Sequence, residues 1–123
     1  MAKQVLIVDD HDGVRKGLRL LFELESGCFS VVGEAVDGRD AVEKARKLKP
    51  DLILLDLSMP DMNGLEVARA IRPMLPSASL MLFTLHRSEV TDSDAFAAGI
   101  NAIISKAEGA GTLMSQAHML LGV

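Results

Sequence analysis

The stretch QVLIVDDHDGV, residues 4–14, decides the fold. Four apolar residues, Val5 to Val8, run without polar alternation and stop at two adjacent aspartates, Asp9 and Asp10. A short β-branched run that is apolar on both faces predicts a strand buried on both sides, as in parallel sheets. From Val14 the period changes. Val14, Leu18, Leu21 and Phe22 form a helical stripe, with Arg15, Lys16, Arg19 and Glu23 assigned to the other side and Gly27 as a stop. A strand followed at once by a helix is one unit of an α/β protein.

The unit recurs. Ser30–Ala35 reads as a second strand, and Asp37 then caps a helix through Leu48 with Ala41, Val42, Ala45 and Leu48 as its stripe. Pro50 follows, then Leu52–Leu55 as a third buried strand that stops at Asp56. SMPDMNG, residues 58–64, is a loop by its Pro, Asp, Asn and Gly content, and Leu65–Arg72 is a short helix closed by Pro73. Leu80–Thr84 is a fourth strand, Ser88 a cap for a helix to about Gly99, and Ala102–Ile104 a fifth strand. Thr112–Leu121 closes the chain as a helix with Leu113, Ala117, Leu120 and Leu121 inward, entered weakly because of Gly109 and Gly111. Five strand–helix repeats predict a five-stranded parallel sheet with right-handed crossovers and helices on both faces. Sites in such sheets lie beyond the carboxyl ends of the strands.

The bulk properties agree with one domain over residues 1–123. Apolar content is 49% and charged content 24%, which describes a globular chain with a core of its own. A net charge of −4 argues against nucleic acid as a partner of this chain itself. The single cysteine, Cys28, excludes an internal disulfide. No apolar run has membrane-spanning length, and Asp9 interrupts any signal-peptide reading, so a cytoplasmic location is expected.

The strand ends carry the chemistry. They supply Asp9 and Asp10, then Asp56, then Thr84, then Ser105 and Lys106. Taken singly each is ordinary: an Asp pair after a strand is commonly a turn or cap, and a lone lysine is commonly solvated. Their convergence on one sheet edge is what points to a site. Two carboxylates about 4 Å apart repel by about 4 kcal/mol at a surface-like dielectric, so three call for a cation. Hard oxygen donors without paired His or Cys favour Mg²⁺ over Zn²⁺. His11 reads as a solvent-facing loop residue rather than a ligand. Asp56, beside a metal and an ammonium, is placed to form an aspartyl phosphate. Lys106 and the metal would neutralise the transferring group, and Thr84 would donate to a phosphoryl oxygen.

The segments VDDH (8–11), PDLILLDLSMPDMNG (50–64), Thr84, AAGI (97–100) and Lys106 together resemble a receiver domain of a bacterial two-component response regulator. The resemblance spans essentially the whole chain. VDDH, with Lys106 not followed by proline, is similar to receivers of the NarL/FixJ type, whose regulators carry a C-terminal helix-turn-helix output. The resemblance implies a CheY-like, flavodoxin-like (βα)5 fold. It implies Asp56 as phosphoacceptor, and Mg²⁺ held by Asp10, Asp56 and the Ser58 carbonyl with Asp9 acting through water. It implies Lys106 against Asp56 or its phosphoryl group, Thr84 as switch hydroxyl, and Ser58 and His86 as positions that tune dephosphorylation. The implied partners are a sensor histidine kinase or phosphotransfer protein and a second receiver, with no membrane. DNA binding would belong to a helix-turn-helix outside this chain. Such a domain catalyses only its own phosphorylation and dephosphorylation.

The departures cluster on the face that receivers use for output. Ile103 stands three before Lys106, where an aromatic is common. Ala107 replaces a frequent proline, Ile100 ends the usual AGA, and EGAG (108–111) is a loose helix entry. Ile103 therefore keeps a phosphorylation-independent interaction module in view. A haloacid-dehalogenase-type phosphatase would want an acid two residues after its nucleophile, and Ser58 stands there. A nucleotide-binding flavodoxin-like domain would need a glycine- or hydroxyl-rich loop where Asp9–Asp12 would repel phosphate.

Overall fold

The computed structural model describes residues 1–123. Its strands are β1 (Lys3–Val8), β2 (Phe29–Ala35), β3 (Leu52–Leu55), β4 (Ser79–Thr84) and β5 (Ala102–Ser105). Its α-helices are α1 (Asp12–Glu23), α2 (Gly38–Leu48), α3 (Gly64–Ile71), α4 (Asp92–Ala97) and α5 (Ala110–Leu121). The strands form one sheet in the order β2-β1-β3-β4-β5, and every pairing is parallel. The predicted α/β architecture is the one observed.

The unbroken apolar runs are explained by burial on both faces. Along β1, Leu6 and Val8 join a core layer with Ala41, Val67, Ile71 and Ala95 of α2, α3 and α4. Val5 and Ile7 join the opposite layer with Leu18, Phe22 and Leu113 of α1 and α5. In β3, Ile53 and Leu55 take the first layer and Leu52 and Leu54 the second. The period of two is present, but both phases are apolar.

Local signals set the helix starts. Asp37 accepts the Asp40 N–H at 2.8 Å and caps α2 as expected. Asn63 and Glu66 form a reciprocal capping box that opens α3. The helix after β4 differs from expectation. Ser88 lies in a 3₁₀ turn, Arg87–Glu89, and Thr91 is the cap, accepting the Asp94 N–H at 3.1 Å. Val90 is buried between the two segments and splits them, so α4 has only six residues. Helix α5 begins at Ala110 rather than Thr112, after Gly109 with φ of 88°, and no side chain caps it. That positive φ suits glycine, and the missing cap fits the expected weak entry.

Arg15 requires a correction. It is not on the outer face of α1 but is one of its buried residues, with Leu18 and Phe22. Positions 15, 18 and 22 share a helix stripe, and the guanidinium is tolerated inside because acceptors surround it. No helix is long and apolar enough to cross a membrane.

Candidate phosphoacceptor and metal site

The parallel order brings the carboxyl ends of β1, β3, β4 and β5 to one edge. Asp9 and Asp56 follow β1 and β3 directly and are 2% and 5% exposed, so these are buried acids rather than solvated turn residues. The sheet holds their main chains: the Asp9 N–H donates to Ala35 O at 3.1 Å, and the Asp56 N–H donates to Val8 O at 3.0 Å. Asp10 is exposed.

Lys106, at the end of β5, reaches back across the edge. Its Nζ donates to Asp9 Oδ2 at 2.9 Å and to Asp56 Oδ1 at 3.5 Å. The ammonium also lies 5.7 Å from the centroid of the Phe83 ring, within range of a cation–π attraction. Its backbone is fixed on both sides. Ser105 Oγ accepts the Ala107 N–H at 3.2 Å, and Glu108 Oε2 accepts the Ser105 N–H at 2.8 Å. This second capping box, around a 3₁₀ turn at Lys106–Glu108, holds the main chain that carries the lysine.

Asp56 has its pKa raised, first by burial and next by the Asp9 charge, against the opposing pull of Lys106. The donor set offers carboxylate oxygens of Asp9, Asp10 and Asp56 within 4.8 Å of one another. Three carboxylates facing one ammonium leave excess negative charge, which fits a hard divalent cation. His11 faces solvent as expected and also lies beside the acidic group. Its Nδ1 lies 3.1 Å from both Asp9 Oδ1 and Asp10 Oδ1. Its N–H also donates to Asp9 Oδ1 at 2.8 Å.

Thr84 ends β4 fully buried, paired in register with Ser105. Its Oγ1 accepts the His86 N–H at 2.9 Å, while the His86 side chain itself is exposed. Ser58 is exposed and borders an open cleft of about 390 Å³ shared with Met59, Glu89 and Val90. Ile103 is half-buried and packs against the core layer of α2–α4.

Several supporting residues were not anticipated. Asp61 accepts the Gly38 and Arg39 N–H groups at 2.8 and 2.9 Å, which lowers its pKa and ties the β3–α3 loop to the start of α2. Gly64 lies so close to the Asp56 main chain that a Cβ there would be 2.5 Å from Asp56 O. Arg15 supports the β1–α1 loop from beneath. Its signal in the sequence was its place at i, i+3, i+7 with Leu18 and Phe22, outweighed in the reading by its charge.

Residues 5–118 match the response regulator receiver domain family. The chain is 40% identical over 113 residues to the response regulator protein VraR of Staphylococcus saprophyticus, covering 89% of this chain and 52% of that protein. It spans about half the length of the curated relatives it matches. A LuxR-family two-component response regulator from Aurantimonas superposes with a TM-score of 0.85 at 32% identity, over 99% of this chain and 87% of that one. The response regulator domain of Thermotoga maritima CheB superposes with a TM-score of 0.87 at 28% identity, over 100% and 98%.

Proposed function

The chain belongs to the receiver domains of two-component response regulators, and from that premise we propose that Asp56 accepts a phosphoryl group from a sensor histidine kinase or phosphotransfer protein. The observation that carries the reading is a buried carboxylate beside Asp9, with the Lys106 ammonium shared between the two and 3.5 Å from its oxygen.

An Asp56 oxygen attacks phosphorus, the new O–P bond forms, and the P–N bond to the donor imidazole breaks. The imidazole leaves with its electron pair and takes a proton from solvent. Lys106 balances charge on the transferred group, and the Thr84 hydroxyl donates to one of its oxygens. Asp10, Asp56 and the Ser58 main-chain carbonyl would hold Mg²⁺, with Asp9 behind them. When bound, the ion supplies neutralisation of carboxylate and phosphoryl charge. The chain's own work is to fix these acids and shield Asp56 from bulk water.

The domain turns over no external substrate on this reading; its reactions are its own phosphorylation and dephosphorylation, with Ser58 and His86 beside the site as rate-tuning positions. The output leaves through the α4–β5–α5 face to a second receiver or to an output region outside residues 1–123. Acetyl phosphate with Mg²⁺, followed by intact-mass measurement, tests the proposal. Wild type gains one phosphoryl group and Asp56→Asn gains none; equal labelling of both removes Asp56 from its role. Labelling of neither would leave the phosphorylation-independent module as the better reading.

A further inference from the structure

We propose that Arg15 is a positioning residue for the metal-binding loop, a tether that sets the direction of Asp9 and Asp10. The proposal rests on the Mg²⁺ site of the reading above, not on the phosphoryl transfer. The Arg15 side chain is 10% exposed, and its planar fork reaches acceptors on three separate pieces of chain. Nη1 donates to the Asp9 main-chain carbonyl at 2.6 Å, Nη2 to Asp12 Oδ1 at 3.0 Å, and Nε to Glu34 Oε1 of β2 at 3.1 Å.

Asp9 and Asp12 bracket Asp10 and His11. One rigid group therefore spans the acidic loop from end to end and ties it to the sheet. Glu34 is shared with a second cation, since Arg19 Nε donates to its other oxygen at 2.7 Å. The outer end is held twice, since Lys16 pairs with Asp12 Oδ2 at 2.8 Å. Neutralising Glu34 would require only a cation, and Arg19 already supplies one. The contact to Asp9 O is different in kind: it fixes the main chain from which a buried acid projects. A lysine at position 15 would keep the charge but lacks the fork that makes three directed bonds at once.

A loop held before the metal arrives affects metal affinity more than the rate once metal is bound. Groups that orient metal ligands change affinity by about 10- to 100-fold when removed. The chain has no Trp or Tyr, so amide NMR titration reads Mg²⁺ binding directly. Arg15→Lys should raise the Mg²⁺ Kd about tenfold or more. At saturating Mg²⁺ it should keep the acetyl phosphate labelling rate within about twofold. Arg19→Ala, which loosens Glu34 but not the loop, should leave the Kd within about twofold. A native-like Arg15→Lys with wild-type Kd, or an Arg19→Ala as weak as Arg15→Lys, overturns the tether. If Arg15→Lys does not fold, Asp12→Asn and Asp12→Ala carry the test. Both remove the charge, but only Ala removes the acceptor, so Ala must bind Mg²⁺ more weakly than Asn; equal affinities overturn the proposal. Wild type that binds Mg²⁺ without being phosphorylated would sink the phosphoacceptor reading and leave the tether standing. Wild type that binds no Mg²⁺ would sink both.

Discussion

Replacing Asp56 with Asn should stabilise the metal-free protein. Asp56 faces Asp9 and Asp10 with oxygens within 4.8 Å and Lys106 at 3.5 Å. At an effective dielectric of about 20, each repulsion is worth about 3.5 kcal/mol and the attraction about 4.7 kcal/mol. Asp10 is partly solvated, so its share is screened to about half. Burial of the charged carboxylate adds a further cost that Asn, uncharged and of the same shape, largely avoids. The balance favours Asn by about 1–2 kcal/mol, or about 4–8 °C in Tm for a domain of this size. The pH dependence follows from the raised pKa. Between the ordinary value of 3.8 and the higher folded value, the native state holds more protons than the unfolded chain, so wild-type stability falls as pH rises through that window. The advantage of Asn should therefore be complete above the folded pKa and vanish below about 3.8, where Asp56 is neutral in both states. Thermal unfolding in EDTA from pH 3 to 8, monitored by far-UV circular dichroism, measures both. With Mg²⁺ the order reverses, because binding at 100 times Kd stabilises wild type by about 2.7 kcal/mol and the variant loses that ligand. An Asn variant less stable than wild type without metal, or a difference that does not change with pH, would refute this account of the site.

Gly64→Ala should cost about 1–3 kcal/mol in urea unfolding and slow acetyl phosphate labelling, because its Cβ meets the Asp56 carbonyl rather than a movable side chain. Glu108→Ala should lower stability by about 1 kcal/mol and weaken the hold on Lys106, with amide exchange at Ser105 rising in step; Glu108→Gln should restore most of both. His118 has its pKa raised by a hydrogen bond to the Val123 main-chain oxygen and by Glu25, so its contribution is full below about 6.5 and fades as pH rises through the folded value; His118→Asn should lower Tm more at pH 6 than at pH 9. A beryllofluoride mimic should change hydrogen exchange only modestly across residues 84–112, most in the Thr84–Glu89 loop, and Ile103→Tyr should enlarge the response if the missing aromatic limits it.

The strands were legible because burial on both faces leaves an unbroken apolar run, and Val5–Val8 and Leu52–Leu55 carry nothing else. The site was legible because polar groups at the ends of such runs have only the sheet edge to occupy. Helix boundaries were less so. Ser88 and Thr91 both bear hydroxyls and lie three residues apart; Thr91 is the cap, and the buried Val90 lies between them. His11 reads as solvent-facing, and it is; exposure did not exclude its Nδ1 from lying 3.1 Å from two carboxylates. Arg15 was misplaced because charge was weighed above position. Its acceptors lie just after β1, on α1 and on β2, and that convergence is a property of the folded chain alone. The same holds for Lys106 and Asp9, which are 97 residues apart in sequence.

That last pairing gives the site its poise. Lys106 is shared between Asp9 and Asp56 and lies nearer to Asp9, at 2.9 against 3.5 Å. On the proposed function, phosphorylation adds negative charge on the Asp56 side, and the attraction there grows while the Asp9 pair is unchanged. The capping box of Ser105 and Glu108 holds the lysine's main chain, and Ser105 is in register with Thr84, so on that function the side chain rather than the strand end would move. Thr84, fully buried on the neighbouring strand, has only its hydroxyl to turn. Ile103 offers no long side chain to follow it inward, since a β-branched residue has few rotamers available. On the proposed function, the step from site to surface would then rest on small displacements of Lys106 and Thr84, which the beryllofluoride exchange measurement reads.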